Sequence, residues 1–419
     1  MSDTVYRRCC GMDIHKDTIV VCVLAPDGQT GPGVQKSYGT FRNDLARMRG
    51  WLKMLKVTEI AMESTGVYWR PVWNVLEGHG FRLLLVNPAQ VKALQGRKSD
   101  QRDARRIAEY LHDNRLDASF VPPQEIRELR QMLRHRLSLL QERGEVHNQI
   151  RDLFETANLK LSSVATDLRG VSGRRIIEAM IAGEDSPELL SWKVRGRLRK
   201  KEKLVRESLK GCFNDFHRMM LKAHYEHYQF LSGQIQAFEA EIEKRMAPYA
   251  KQIEGLMTIP GVERIVAWHL IAELGADMSV FADADHCASW AGLSPGSCES
   301  AGKQMSGRTK KGNKYLRRVL TQAGWAASRC KRGYLRAFFH RVKARRGWGR
   351  AIFAVAHKIL IIAYCILKDG QPYHELGDDY FDRLHPERTA KRLLQRLERL
   401  GLSVVVTPSQ SLTLGTSEG

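Results

Sequence analysis

Cys9-Cys10-Gly11-Met12-Asp13-Ile14-His15-Lys16-Asp17-Thr18-Ile19-Val20-Val21-Cys22-Val23-Leu24 opens the readable part of the chain. An apolar run ends on a carboxylate, a short polar turn follows, and a second apolar run begins. The pattern predicts a strand, a turn and a pairing strand, with Asp13 near the turn. Working outward, Glu63 closes another short apolar stretch, Thr58-Glu59-Ile60-Ala61-Met62. Asp100 and Asp103 stand three apart in Lys98-Ser99-Asp100-Gln101-Arg102-Asp103-Ala104, which opens a helical pattern, so both project from one helix face. Carboxylates at strand ends plus a pair on a helix can gather four hard oxygen ligands. Mg2+ takes such ligands and keeps positions open for phosphate oxygens. The plainer alternative makes Asp100 a helix cap and Asp103 a first-turn charge favoured by the helix dipole. A chain with 46 acidic residues offers such quartets by chance as well.

Around these residues, strand-like runs at 8–15, 19–24, 58–62 and 81–86 alternate with helical patterns at about 42–55, 67–79, 88–96 and 102–114. A hairpin of two or three strands followed by strand–helix alternation fits a ribonuclease H-like fold better than a doubly wound nucleotide-binding one. No Gly-x-Gly-x-x-Gly follows the first strand, which weakens the dinucleotide alternative. Val121-Pro122-Pro123 marks a boundary. Beyond it, 124–160 and 198–250 are long, charged and helix-forming, with Leu129, Met132, Leu133, Leu137 and Leu140 at helical spacing. Two such helices around a looser Gly/Ser-containing insert predict an antiparallel or intermolecular coiled coil, or else a plain helical spacer. The basic stretch 193–210 suits backbone phosphates or a solvated helix face equally well.

A third region begins at Leu256-Met257-Thr258-Ile259-Pro260-Gly261-Val262. Its turn before an apolar helix resembles a helix–hairpin–helix, whose glycine would let backbone N–H groups approach a DNA phosphate; such turns also serve as simple helix connections. Small residues then surround Ser300 in Ser297-Cys298-Glu299-Ser300-Ala301-Gly302-Lys303, and the basic stretch 308–318 follows. That setting would keep a hydroxyl accessible, with Lys303, Arg308 and Lys310 balancing charge on a pentavalent phosphorus. A solvated Ser/Gly loop feeding a basic helix would look the same.

At 419 residues there is room for two or three domains. Lys and Arg number 67 against 46 Asp and Glu, leaving +21, which points to a polyanionic partner. The eight cysteines form no Cys-x-x-Cys pair and several lie in apolar runs, so neither a zinc site nor a disulfide framework is expected, and a reducing cytosol is. No signal peptide is evident. The most apolar stretch, 351–367, is interrupted by His357-Lys358 and too short to span a bilayer, which predicts a buried helix and no membrane.

Taken in order, six blocks resemble a known family, the DEDD transposases of bacterial insertion sequences, or bridge-RNA-guided serine recombinases, with the pilin-gene invertases as relatives. The blocks are Gly11-Met12-Asp13-Ile14-His15-Lys16; Glu63-Ser64-Thr65-Gly66-Val67-Tyr68; Asn87-Pro88 with Lys98-Ser99-Asp100-Gln101-Arg102-Asp103-Ala104; Ile259-Pro260-Gly261-Val262; Ala291-Gly292-Leu293-Ser294-Pro295; and Glu299-Ser300-Ala301-Gly302-Lys303 followed by Lys311-Gly312-Asn313-Lys314-Tyr315-Leu316-Arg317. The resemblance implies the RuvC-like and transposase domains, and with the helical region and tail read from the residues the expected architecture is α/β plus α in four parts. These are a RuvC-like DEDD domain over 1–120, a helical coiled-coil and oligomerisation region over 121–250, a mainly helical transposase domain over 251–370, and a basic, partly disordered tail over 371–419. The resemblance implies Asp13, Glu63, Asp100 and Asp103 as Mg2+ ligands and Ser300 as nucleophile. Ala301 departs from the glycine that usually follows that serine, and Ser297 lies close by. Only Ser300 precedes Gly-Lys in the family register.

On this reading Ser300 attacks a DNA phosphate and forms a covalent phosphoserine, which conserves the phosphodiester energy that hydrolysis would lose. Lys98, Arg102, Lys303, Arg308, Lys310, Lys311, Lys314, Arg317 and Arg318 are the expected nucleic-acid contacts. The resemblance further implies donor and target DNA, a non-coding guide RNA that supplies sequence choice by base pairing, a homodimer or homotetramer, and a bacterial cytoplasmic location at the nucleoid. The rivals are a metal-dependent structure-specific nuclease without a covalent intermediate, and a binding protein in which the acidic quartet is structural.

Overall fold

The computed structural model describes residues 8–24, 33–64, 66–87, 100–165, 167–294, 298–300, 303–306, 309 and 312–405; at 100–101, 298–300 and 303–306 this covers the backbone only. The chain divides into two compact units, Met1–Arg127 and Glu128–Gly419.

The first unit is built on one sheet. Strands β1 (Cys9–Ile14), β2 (Thr18–Val23) and β3 (Val34–Gly39) lead to helix α1 (Arg42–Met54); β4 (Glu59–Glu63), α2 (Trp69–Leu76), β5 (Arg82–Val86), α3 (Asp100–His112) and β6 (Ala118–Ser119) follow. The strand order is β3-β2-β1-β4-β5-β6, with β1, β4 and β5 parallel and the others antiparallel. This is the expected hairpin followed by strand–helix alternation. Every residue of β1 is buried because helices cover both faces, which accounts for its unbroken apolar run. Side chains alternate across the sheet. Cys10, Met12, Ile14, Ile60 and Met62 pack against α1 and α2, whereas Cys9 and Ala61 pack against Ile107 and Leu111 of α3.

Strand β3 escaped the hydrophobic pattern because it is an edge strand. Of its six residues only Tyr38 is buried, and pairing along all of β2 holds the rest. The helical pattern expected at 88–96 lies outside the described residues.

The second unit is almost wholly helical. Helix α4 (Gln124–Thr156), whose first turn holds the division between units, is followed by α5 (Leu161–Val164), α6 (Val171–Ile181), α7 (Pro187–Ser191), α8 (Glu202–Ser208) and α9 (Asp215–Met246). Helices α4 and α9 form an antiparallel pair within one chain. Leu139 and Val146 meet Leu231 and Ile235, while Arg136 pairs with Glu239 and Arg245 with Glu128 at 2.9 Å. The long pattern read over 198–250 breaks before α9. A 3-10 turn (Gly196–Lys201) and α8 come first, and an Asn214–His217 capping box starts the long helix afresh.

Helices α10 (Ala250–Met257), α11 (Arg264–Leu274) and α12 (Ala284–Ala291) precede a two-stranded hairpin, β7 (Cys298–Ser300) and β8 (Lys303–Ser306). Then come α13 (Lys314–Ser328), α14 (Tyr334–Asp369), α15 (Tyr380–Leu384) and α16 (Pro386–Glu398), so part of the basic tail is helical. The turn between α10 and α11 joins two helices, and its glycine has a packing role as well. Gly261 has φ 86°, and a Cβ there would overlap the backbone of Ala323 and Ala327 in α13, so its small size seats the turn on that helix. Among the described residues α14 alone is long and apolar enough to cross a membrane by composition, but half of that window is buried. Ala351, Ile352, Val355, Ile359 and Leu360 are inside, and the backbone leaves helical geometry at Gly347.

The tightest joint in the first unit is at Gly11. A Cβ on this residue would overlap the carbonyl of Ala104 and the amide of Ala108, so α3 lies directly on β1. Gly11→Ala is expected to lower unfolding free energy by about 1–3 kcal/mol, as overpacking a close-packed contact does. Chemical denaturation of the full chain measures this, and an unchanged midpoint would show that the helix has room to move.

Candidate functional site

The four carboxylate positions lie on three elements of the first unit. Asp13 lies near the carboxyl end of β1 and Glu63 ends the neighbouring parallel strand β4. Their register runs Gly11 with Ala61 and Met12 with Met62, so Asp13 and Glu63 occupy the next step of the same ladder. Alternation then gives both the face of Gly11 and Ala61, the face covered by α3. Helix α3 runs antiparallel to β1 above them. The Cys9 thiol contacts the Ala108 carbonyl at 3.4 Å, and Gly11 meets Ala104 and Ala108. Ala104 also packs with Val20, which pairs directly with Asp13. Four further helix residues, about 6 Å, match two strand residues, about 6.7 Å, so the start of α3 is carried toward Asp13.

Side chains complete only part of the picture. Asp13 is 8% exposed and its carboxylate meets the His15 imidazole at 3.2 Å. Asp103 lies 3.7 Å from Arg106. Asp100 is the first residue of α3, and its side chain is outside the described residues, as are all of Lys98, Arg308, Lys310 and Lys311. Among the described residues, no three carboxylate, imidazole or thiolate groups gather at one point. The donor chemistry still suits a hard cation, since the strand-end groups are carboxylates, and Asp13 is too buried to be well hydrated. Arg102 is exposed on the first turn of α3.

In the second unit Ser300 ends β7, and its backbone pairs with that of Lys303, the first residue of β8. Helix α13 begins beyond this hairpin. Asn313 caps it, its side-chain oxygen accepting from the amides of Tyr315 and Leu316, both at 3.1 Å. A Cβ on Gly312 would overlap the backbone of Ala291 and Gly292, so two of the six sequence blocks meet here. Of the expected basic contacts, Lys314 sits over the Tyr315 ring at 5.1 Å. Arg317 donates to the Thr309 hydroxyl at 3.2 Å, and Arg318 is exposed.

A buried ion cluster, which the motifs did not signal, supports this helix start. Glu273 of α11 is 1% exposed. Arg134 of α4 grips its carboxylate through two hydrogen bonds at 2.8 and 2.7 Å, and the Asn313 amide adds a third at 2.6 Å. Arg130 donates to the backbone carbonyls of Ala272 and Glu273, both at 2.9 Å, and Arg134 also lies over the Tyr315 ring at 4.3 Å. Burial alone would raise the Glu273 carboxyl, but the Arg134 hydrogen bonds and the Arg130 charge outweigh it and hold the group below the ordinary carboxylate range. One turn earlier, His269 is buried with neither ring nitrogen partnered among the described residues, and burial lowers it to about 4. No local pattern betrays these pairings, because Arg134 and Glu273 are 139 residues apart.

Two outcomes follow. Glu273→Gln leaves Arg134 without its counter-charge and should cost about 3–5 kcal/mol of stability in chemical denaturation; a loss under 1 kcal/mol would show the pair to be dispensable. The unfolded chain protonates His269 near the ordinary value of about 6.5, whereas the folded chain resists until about 4. Stability should therefore fall by about 3 kcal/mol as pH drops through that window. Glu273 adds a loss that begins at the ordinary carboxylate value, where the unfolded chain takes up a proton, and continues below it while the folded group still resists. His269→Leu should flatten the upper window in denaturation midpoints taken from pH 7 to 4, and an unaltered slope would assign it to other groups.

Two family profiles match this chain. Residues 10–158 match a DEDD profile of the IS110 type described as Transposase, and residues 253–340 match one described as Transposase IS116/IS110/IS902 family. The chain is similar to the transposase for insertion sequence element IS1111A of Coxiella burnetii, at 25% identity over 87% of this chain and 90% of that one. It is also similar to a probable family 20 transposase of Pseudomonas aeruginosa, at 28% identity over 68% and 75% of the respective chains. The transposase for IS1328 of Yersinia enterocolitica is 29% identical over 36% of this chain and 46% of its own. With matched segments covering both the carboxylate-bearing sheet and the helices around the serine hairpin, the chain belongs to the IS110 family of transposases, enzymes that cleave and rejoin DNA.

Proposed function

We propose that this transposase recombines DNA through a covalent phosphoserine formed on Ser300, with Mg2+ held by Asp13, Glu63, Asp100 and Asp103. The observation that carries the metal half is the shared ladder position of Asp13 and Glu63 on the sheet face that α3 covers with its acidic first turn. Bound there, Mg2+ would neutralise non-bridging phosphate oxygens. For the serine half, support comes from the short hairpin that ends β7 on Ser300, set before the capped, basic start of α13. Ser300 Oγ bonds to the phosphorus as one bridging P–O bond breaks, and the departing oxygen ends as a hydroxyl carrying the proton that the serine loses. The Oγ–P ester keeps the bond energy for rejoining by a second hydroxyl. Lys98, Arg102, Lys303, Arg308, Lys310, Lys311, Lys314, Arg317 and Arg318 hold phosphates.

The same proposal includes a non-coding guide RNA that chooses donor and target by base pairing, leaving the protein to read backbone and shape. It also includes action as a homodimer or homotetramer at the bacterial nucleoid, in the cytoplasm. A net charge of +21 suits two polyanions held together.

A denaturing gel tests the chemistry. Full-length protein is combined with RNA from the sequence flanking its gene, labelled junction-spanning DNA and Mg2+. A protein–DNA adduct is expected, lost by on the order of a thousand-fold or more in Ser300→Ala and likewise absent in Asp100→Ala. Cleavage without an adduct that survives Ser300→Ala would replace this reading with a hydrolytic, metal-dependent nuclease.

A further inference from the structure

Between residues 300 and 368 the sequence carries 18 Lys and Arg and not one Asp or Glu, so most of the chain's excess of +21 is concentrated in this segment. The catalytic proposal uses only its first part. Farther on, the first half of α14 faces α15 and α16 across a cleft of about 450 Å³. Its walls carry Arg341 and Arg345 from α14, and His385, Arg388, Lys391 and Arg392 from the tail. No carboxylate lines the cleft among the described residues. Arg341 rests on the Phe381 ring at 5.2 Å, which stiffens that wall. Arg392 has one exposed carboxylate, Asp382, at 3.6 Å, whereas Arg345, Arg388 and Lys391 have no acidic partner among the described residues.

Five cations facing one volume repel each other unless an anion enters. The arginine forks match phosphate oxygens in pairs, and a row of them matches a chain of phosphates better than a single small anion. Helix α16 buries no residue of its own, so packing alone gives it little reason to keep this place. We propose that this cleft grips the sugar-phosphate backbone of duplex DNA, and that α15–α16 is an anchoring arm that positions DNA without reading its sequence. The inference rests on membership of a DNA-cleaving family and is independent of Ser300 and the four carboxylates.

Fluorescence anisotropy on full-length protein with a labelled 30-base-pair duplex, over a salt series, tests it. Measurements in a Ser300→Ala background without divalent metal keep the DNA intact whether cleavage is serine- or metal-dependent. Each phosphate contact contributes about 0.9 to the slope of log affinity against log salt. Arg388→Gln/Arg392→Gln should therefore flatten the slope by about 2, equally for unrelated sequences, and weaken binding about tenfold or more near 0.1 M salt. Arg388→Lys/Arg392→Lys should restore most of the slope. Arg396→Gln removes a charge from the same helix outside the cleft and should leave the slope within error of the parent. An unchanged slope in the double glutamine variant would overturn the proposal, as would an equal loss in Arg396→Gln, which would mean general charge. A loss confined to RNA of the same sequence would overturn the DNA assignment.

Discussion

The approach of α3 to β1 at Gly11 is the constraint on which the first unit depends. With no Cβ at that residue, helix backbone rests on strand backbone, and little lateral freedom remains for either. Carboxylates from a strand and a helix can serve one ion only if the two elements hold a set distance. A larger residue at Gly11 would lift the helix and separate Asp13 from the residues of the first α3 turn. The same contact makes β1 a strand with helices on both faces, and so explains why its sequence is apolar up to a single acid.

A different interaction organises the second unit. There the Glu273 carboxylate, removed from water, collects Arg134 and Asn313 from elements far apart in sequence. A buried charge is tolerated only when its hydrogen bonds are complete. The cluster therefore ties α4, α11 and the start of α13 into one arrangement. Asn313 serves both roles, bonding Glu273 through its amide nitrogen and capping α13 through its oxygen. The helix that follows the serine hairpin is thus positioned by polar contacts as well as by its apolar face.

Much of this was legible in the residues. The strands near 8–15, 19–24, 58–62 and 81–86 and the helices near 42–55 and 102–114 declare themselves by alternation or helical spacing, since each buries a defined face. Strand β3 stayed hidden because pairing with β2, and not burial, holds it. The pattern over 198–250 ran two helical segments together, because charged residues favour helix on both sides of the break, where 209–214 connect the helices and end in the Asn214 cap. Gly261 was read as an opening toward phosphate or as part of a plain helix connection, and its closeness to α13 is a packing role that neither reading named.

By itself the sequence determined the class of each major element, the identity of the candidate chemical groups and the polyanionic character of the partner. Those properties reside in local periodicity, residue type and total charge. Only the tertiary structure decided that Asp13 and Glu63 share a ladder step beneath α3, that α4 and α9 pair within one chain, and that Glu273 finds Arg134. It also gathered five cations around one cleft at the tail. The physical reason is common to all four. Contacts between residues many turns apart depend on register, on close backbone approach and on buried charge pairing, none of which leaves a periodic trace in the chain.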